Sequence, residues 1–171
     1  RRVGASIGMQ ASVPPAVSAG HSPRTFRKGS LLIVPSPRAQ VGKTFIARLL
    51  IDVLRIEQRH PLGFDLNPSG EALRDYLPAS TVVADIGNVM GEVSLFDRLV
   101  VNDGFSKVVD VGHAVFDRFF AIAQEIGFFE EAQHDVDAMI LFPAEPHPLA
   151  IRAYDELRRR FPQAILTPVL N

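Results

Sequence analysis

Short apolar runs alternate with amphipathic stretches from residue 31 onward. The run 31–35 (LLIVP) is continuously apolar, as in a strand buried on both faces. The stretch 44–56 (TFIARLLIDVLRI) has helical spacing, with Phe45, Ile46, Leu49, Leu50, Val53 and Leu54 expected inward and Arg48, Asp52 and Arg55 outward. The same reading predicts strands over 61–65, 81–86, 107–112, 137–143 and 164–171. It predicts helices over 92–101, 114–126 and 148–161, the last with Pro148 in its first turn. In the 114–126 helix, Val115, Phe116, Phe119, Phe120, Ile122, Ala123 and Ile126 are expected inward. Alternating strands and helices predict an α/β domain with a mostly parallel sheet and right-handed crossovers. Ligands of such sheets bind at the carboxyl ends of the strands. That address is shared by the loop at 36–44, Asp65, Asn67, Asp110 and Asn171.

Residues 1–30 differ. They are rich in Ser, Ala, Gly and Pro and carry five basic side chains (Arg1, Arg2, Arg24, Arg27 and Lys28) with no acidic one. A basic, irregular arm or linker is expected there. A solvated tail is the simplest reading; a transit peptide, or an arm that touches nucleic acid, lipid or a partner, are the others. The domain is expected over 31–171, with the natural chain continuing past Asn171.

Composition adds limits. The chain has 171 residues, 47% apolar and 22% charged, enough for one domain with a core. No apolar run approaches the roughly 18 residues of a spanning helix. The absence of cysteine excludes disulfides, thiolate metal sites and cysteine nucleophiles. The net charge of −1 gives no global sign of nucleic-acid binding. The five histidines lack metal-ligand spacing.

The chemistry concentrates in Gly42-Lys43-Thr44, between an apolar strand and an amphipathic helix. A phosphate loop needs that context, because its N–H groups and the helix N-terminus point at the anion. Lys43 would reach the β and γ phosphates and the Thr44 hydroxyl would ligate Mg²⁺. The competing reading is a helix start with a solvated lysine. Asp110 ends the apolar run KVVDVG and suits a carboxylate that holds Mg²⁺ through water, or a turn residue. Asp65 and Asn67 sit in GFDLNPSG, which also reads as an Asx-Pro turn.

The order of these elements resembles the ParA/MinD family of P-loop ATPases with a deviant Walker A motif. The family's Lys-Gly-Gly-x-Gly-Lys-Thr aligns with Arg38-Ala39-Gln40-Val41-Gly42-Lys43-Thr44, and its Asp-x-Asp-Pro with Asp65-Leu66-Asn67-Pro68. Asp110-Val111-Gly112 aligns with the family's third motif. Asn171 aligns with an Asn that reads the adenine. The phrases LFDRLV, VVDVGHAVFDRF and RRRFPQAILTPVLN are most similar to the TraL-like proteins of conjugative plasmids.

The resemblance implies a cytoplasmic protein that binds ATP and Mg²⁺ through residues 38–44, Asp110 and Asn171 and dimerises with nucleotide at the interface. It also implies that Arg38 replaces a signature Lys that reaches phosphate across that interface. Asn67 replaces a second Asp that orients the attacking water, so hydrolysis is expected to be slow or lost. Pro37, Ala39 and Gln40 stand where glycines are expected, and positive φ at Ala39 or Gln40 would cost on the order of 1 kcal/mol. Two alternatives remain: a protein-interaction module of the same fold without nucleotide, and a small-molecule kinase, for which no arginine-bearing lid is evident.

Overall fold

A computed structural model describes residues 29–68, 70 and 72–170. The basic arm at 1–28 and the adenine-reading role expected of Asn171 lie outside the described residues.

Six strands form one sheet: β1 (Leu31–Pro35), β2 (His60–Asp65), β3 (Thr81–Val83), β4 (Phe105–Val111), β5 (Ala138–Ala144) and β6 (Ile165–Leu170). Their order is β3-β2-β4-β1-β5-β6, and all five pairings are parallel. The expected parallel α/β sheet is therefore the observed one. The α-helices among the described residues are α1 (Lys43–Ile56), α2 (Ala72–Tyr76), α3 (Val89–Val100), α4 (Phe116–Glu125), α5 (Phe128–Asp135) and α6 (Pro148–Arg160).

Strand β1 lies between β4 and β5, and Leu31 to Val34 are fully buried, as its unbroken apolar run requires. Alternate residues feed two cores. Leu32, Val34 and Val108 pack under α1 and α2. Leu31, Ile33 and Val109 pack under α3 to α6. The second core is built on phenylalanine: Phe96 contacts the rings of Phe119 and Phe128 at 5.2 and 5.0 Å, and Phe161 contacts Phe129 at 4.9 Å. Offset and edge-on ring pairs of this kind add to the area term.

Helix α1 departs from the expected burial. Ile46, Ala47, Ile51 and Leu54 face the sheet, but Phe45, Leu49 and Val53 are 54%, 47% and 41% exposed, and Ile56 joins them on the outer face. Apolar residues cover everything but the strip that carries Arg48, Asp52 and Arg55, an arc too wide for periodicity alone to single out one inward stripe. Ile126 is likewise exposed rather than inward. The Arg158-Arg159-Arg160 run at the end of α6 is only partly solvated. Arg160 donates to Gln124 Oε1 and to the Phe120 carbonyl, tying α6 to α4.

Among the described residues no helix is long and apolar enough to cross a membrane.

Candidate functional site

The carboxyl ends of β1, β2 and β4 bring four of the expected residues together. Parallel pairing sets Val34 beside Asp110 and Asp110 beside Asp65. The two aspartates therefore stand side by side at the top of the sheet, and both are fully buried. Chain leaving β1 must turn back sharply into α1. It does so through Gln40 at φ 58° and Gly42 at φ 84°. Gly42 needs its missing side chain there, while Gln40 carries a strain of roughly 1–2 kcal/mol. Ala39 is not in the left-handed region. Ser36, buried in the loop, accepts a hydrogen bond from the Arg38 N–H at 3.1 Å and stiffens the turn between the two prolines.

Gly42 caps α1 without a side-chain hydrogen bond. The first turn of the helix therefore keeps free N–H groups, the usual seat of an anion. Lys43, the first residue of α1, is 6% exposed. Its ammonium lies near Asp110 and forms no hydrogen bond or ion pair with a described residue. Lys43 lines a cavity of about 210 Å³. Ala39 and Gln40 form one wall, Asn67, Pro68 and Gly70 another, and Gly112 and His113 a third. The loop is open despite its missing glycines.

On the far side of Lys43, the Thr44 hydroxyl donates to Asp110 Oδ2 at 2.6 Å. Asp110 Oδ1 is buried and accepts no hydrogen bond from a described residue. Burial pushes the Asp110 carboxyl above its ordinary range, and the neighbouring Asp65 adds to this. The Thr44 hydroxyl, Lys43 and the nearby Asn67 amide oppose it. A hydroxyl and a carboxylate that converge, with one carboxylate oxygen orphaned, make a donor set that fits a hard divalent cation such as Mg²⁺.

Asp65 is engaged differently. Its Oδ1 accepts from the Asn67 N–H at 3.1 Å and from Asn67 Nδ2 at 2.6 Å. Its Oδ2 accepts from the N–H groups of Leu73 at 2.9 Å and Arg74 at 3.2 Å. Four hydrogen bonds commit the carboxylate to tying Asn67 and the first turn of α2 to the end of β2. Asn67 in turn is fixed with its amide nitrogen toward Asp65. A β-carbon on Gly112 would meet Asn67 Oδ1 at 2.7 Å and the Leu66 carbonyl oxygen at 3.0 Å, so only glycine lets β4 pass this loop so closely.

Arg38 turns away from the cavity. Its guanidinium pairs with Glu145, just beyond β5, and Glu145 Oε1 is buried without a hydrogen bond from a described residue. Sequence reasoning missed Ser36 and Glu145. Glu145 stands at the carboxyl end of a strand, the address that picked out Asp65 and Asp110.

Comparison with protein-family models gives no match, and comparison with curated protein sequences gives none either. Among solved structures, the fold is similar to the kinase domain of the Escherichia coli tyrosine kinase ETK. The TM-score is 0.50 at 16% identity, over 84% of this chain and 69% of that one. A nucleotide-binding protein in complex with ADP from Archaeoglobus fulgidus is a more distant likeness. It has a TM-score of 0.41 at 11% identity, over 83% of this chain and 82% of that one. The first likeness supports a P-loop NTPase-like α/β fold for this chain; the second is too loose to add to it.

Proposed function

We propose that this chain is a nucleotide-binding P-loop protein that takes ATP with Mg²⁺. A single observation carries the reading. Lys43 and Thr44 leave the left-handed Gly42 at the head of α1. Lys43 lines the cavity without a hydrogen bond to any described residue, and Thr44 bonds Asp110. Backbone N–H groups of residues 39–44 would cradle the phosphates and Lys43 would neutralise them. Thr44 and Asp110 would hold the cation, which when bound offsets charge on the phosphate oxygens.

Hydrolysis is proposed to be slow. Asp65 spends its carboxylate on the loop and Asn67 is neutral, so neither supplies a base for water. The family resemblance adds the proposal that nucleotide closes a homodimer, in the manner of ParA/MinD and TraL-like proteins, with Arg38 crossing to the second copy. That step requires Arg38 to leave Glu145.

Calorimetry with ATP, ADP and Mg²⁺ tests the reading. Binding is expected, with affinity falling roughly 10- to 100-fold in Lys43→Ala, the loss of one charge-assisted contact. A folded protein that gives no heat with either nucleotide at millimolar concentration overturns it in favour of an interaction module that has kept only the fold.

A further inference from the structure

A second cavity, of about 270 Å³, lies beside the phosphate loop and outside the site described above. It opens between Pro37, the start of α4 and the early turns of α6. His113 lines both cavities, which places this one beside the 36–44 loop. Its apolar surface comes from Pro37, Phe116, Leu149 and Ala153. Its polar lining is His113, Asp117 on α4, and Arg152 and Glu156 on α6. Glu156 is already paired with Arg160.

Two features of this cavity decide what fits. Asp117 and Arg152 line one space, yet they form no ion pair with each other, and neither side chain bonds any described residue. The gap between them is wider than a salt bridge, and each head group is left to solvent. The volume is several times that of one water molecule (about 30 Å³) and below the range of drug-sized pockets, which start near 300 Å³.

An inorganic anion would satisfy Arg152 but stand against Asp117. A lone cation would have the opposite fault. A ligand that carries both signs satisfies both. Its carboxylate would take the planar guanidinium of Arg152, a bidentate match, and its ammonium would donate to Asp117. A modest side chain would cover Phe116, Leu149 and Ala153. We infer that this cavity is a binding site for an amino-acid-sized zwitterion, held between Arg152 and Asp117 next to the phosphate loop.

Calorimetry of the whole chain, without nucleotide, against each of the twenty common L-amino acids at high millimolar concentration tests this. At least one is expected to bind at a single site. Arg152→Gln and Asp117→Asn should each weaken it about tenfold or more, the worth of a charge-assisted contact. Arg158→Gln, on the same helix but outside the cavity, should leave it unchanged. Circular dichroism and melting curves confirm that the variants fold. Three results overturn the inference: no amino acid binds, binding survives both cavity variants, or the carboxyl-amide derivative of the ligand binds equally well.

Discussion

The Thr44 hydroxyl and Asp110 Oδ2, 2.6 Å apart, join the first turn of α1 to the end of β4. This bond occupies the place where a cation bridging the two side chains would sit. It also leaves Asp110 with one orphaned oxygen in a buried setting.

Asp110→Asn follows from that geometry. Burial raises the Asp110 carboxyl in the folded chain, so the folded state holds its proton to higher pH than the unfolded state does. Stability from this group is complete below the unfolded value near 3.8 and is lost as pH rises through the raised one. Above the unfolded value the ionisable Asp110 therefore costs stability relative to a neutral side chain. The variant should melt at a higher denaturant concentration than the parent at pH 7, and the gap should close in acid. The same variant should lose the protection that Mg²⁺ adds to the parent with nucleotide. A variant that is less stable at pH 7, or that keeps full Mg²⁺ protection, contradicts this assignment.

Glu145→Gln tests the pairing of Arg38. The side chains are 35% and 23% exposed, so the ion pair itself is worth at most about 1 kcal/mol and stability should change little. Releasing Arg38 and removing a negative charge beside the loop should raise nucleotide affinity roughly two- to fivefold, the same energy expressed as binding. Calorimetry on the variant reads this directly. A fall in affinity instead would mean that Glu145 holds Arg38 in its binding position.

Why some of this was legible from residues alone, and some was not, follows from period and address. Strand β1 needed only its apolar run, and the strand-end rule placed Lys43, Asp65 and Asp110 at one edge. Helix α1 misled because apolar residues cover both of its faces, and a period of 3.6 cannot choose between two stripes. Strand β3 ends at Val83 rather than Ile86 because Asp85 turns the chain, accepting from the Gly87 N–H at 2.8 Å. Helix α5 was missed because left-handed Gly127 divides it from α4 and it spans only eight residues. The burden on Asp65 was invisible for another reason: two of its four donors, Leu73 and Arg74, lie eight and nine positions away.

Lys107 supplies a pH test far from the phosphate loop. Its side chain is 1% exposed, its ammonium donates to the Val101 carbonyl and it pairs with Asp103 at 3.3 Å. Burial is the largest influence and lowers its proton affinity below the ordinary 10.5, against the pull of Asp103. The folded chain thus releases this proton at a lower pH than the unfolded chain does. Between the lowered value and 10.5 the unfolded state holds more protons, so this group makes stability rise with pH. Urea melts of the parent and Lys107→Met from pH 7 to the alkaline side should show the parent gaining on the variant as pH rises. Parallel curves would remove the buried amine from the account.

Asn67→Asp restores the residue that the family resemblance expects, and a simple view would have it restore hydrolysis. The geometry argues otherwise. Asn67 Nδ2 donates to Asp65 Oδ1 at 2.6 Å, and Asp65 stands beside Asp110 in the sheet register. A carboxylate at position 67 removes a donor and crowds a third carboxyl group against two buried ones. The native state should lose about 2 kcal/mol or more at neutral pH, from the lost bond and the like-charge contact. The loss should shrink as pH falls and the new carboxyl takes a proton. Mg²⁺ with nucleotide should recover part of it at neutral pH, because a cation between Thr44 and Asp110 would offset the added charge. Denaturant melts over pH, with and without Mg²⁺-ATP, measure each step. A variant as stable as the parent at pH 7 would show that the loop turns position 67 away from Asp65, and would leave it free to orient water.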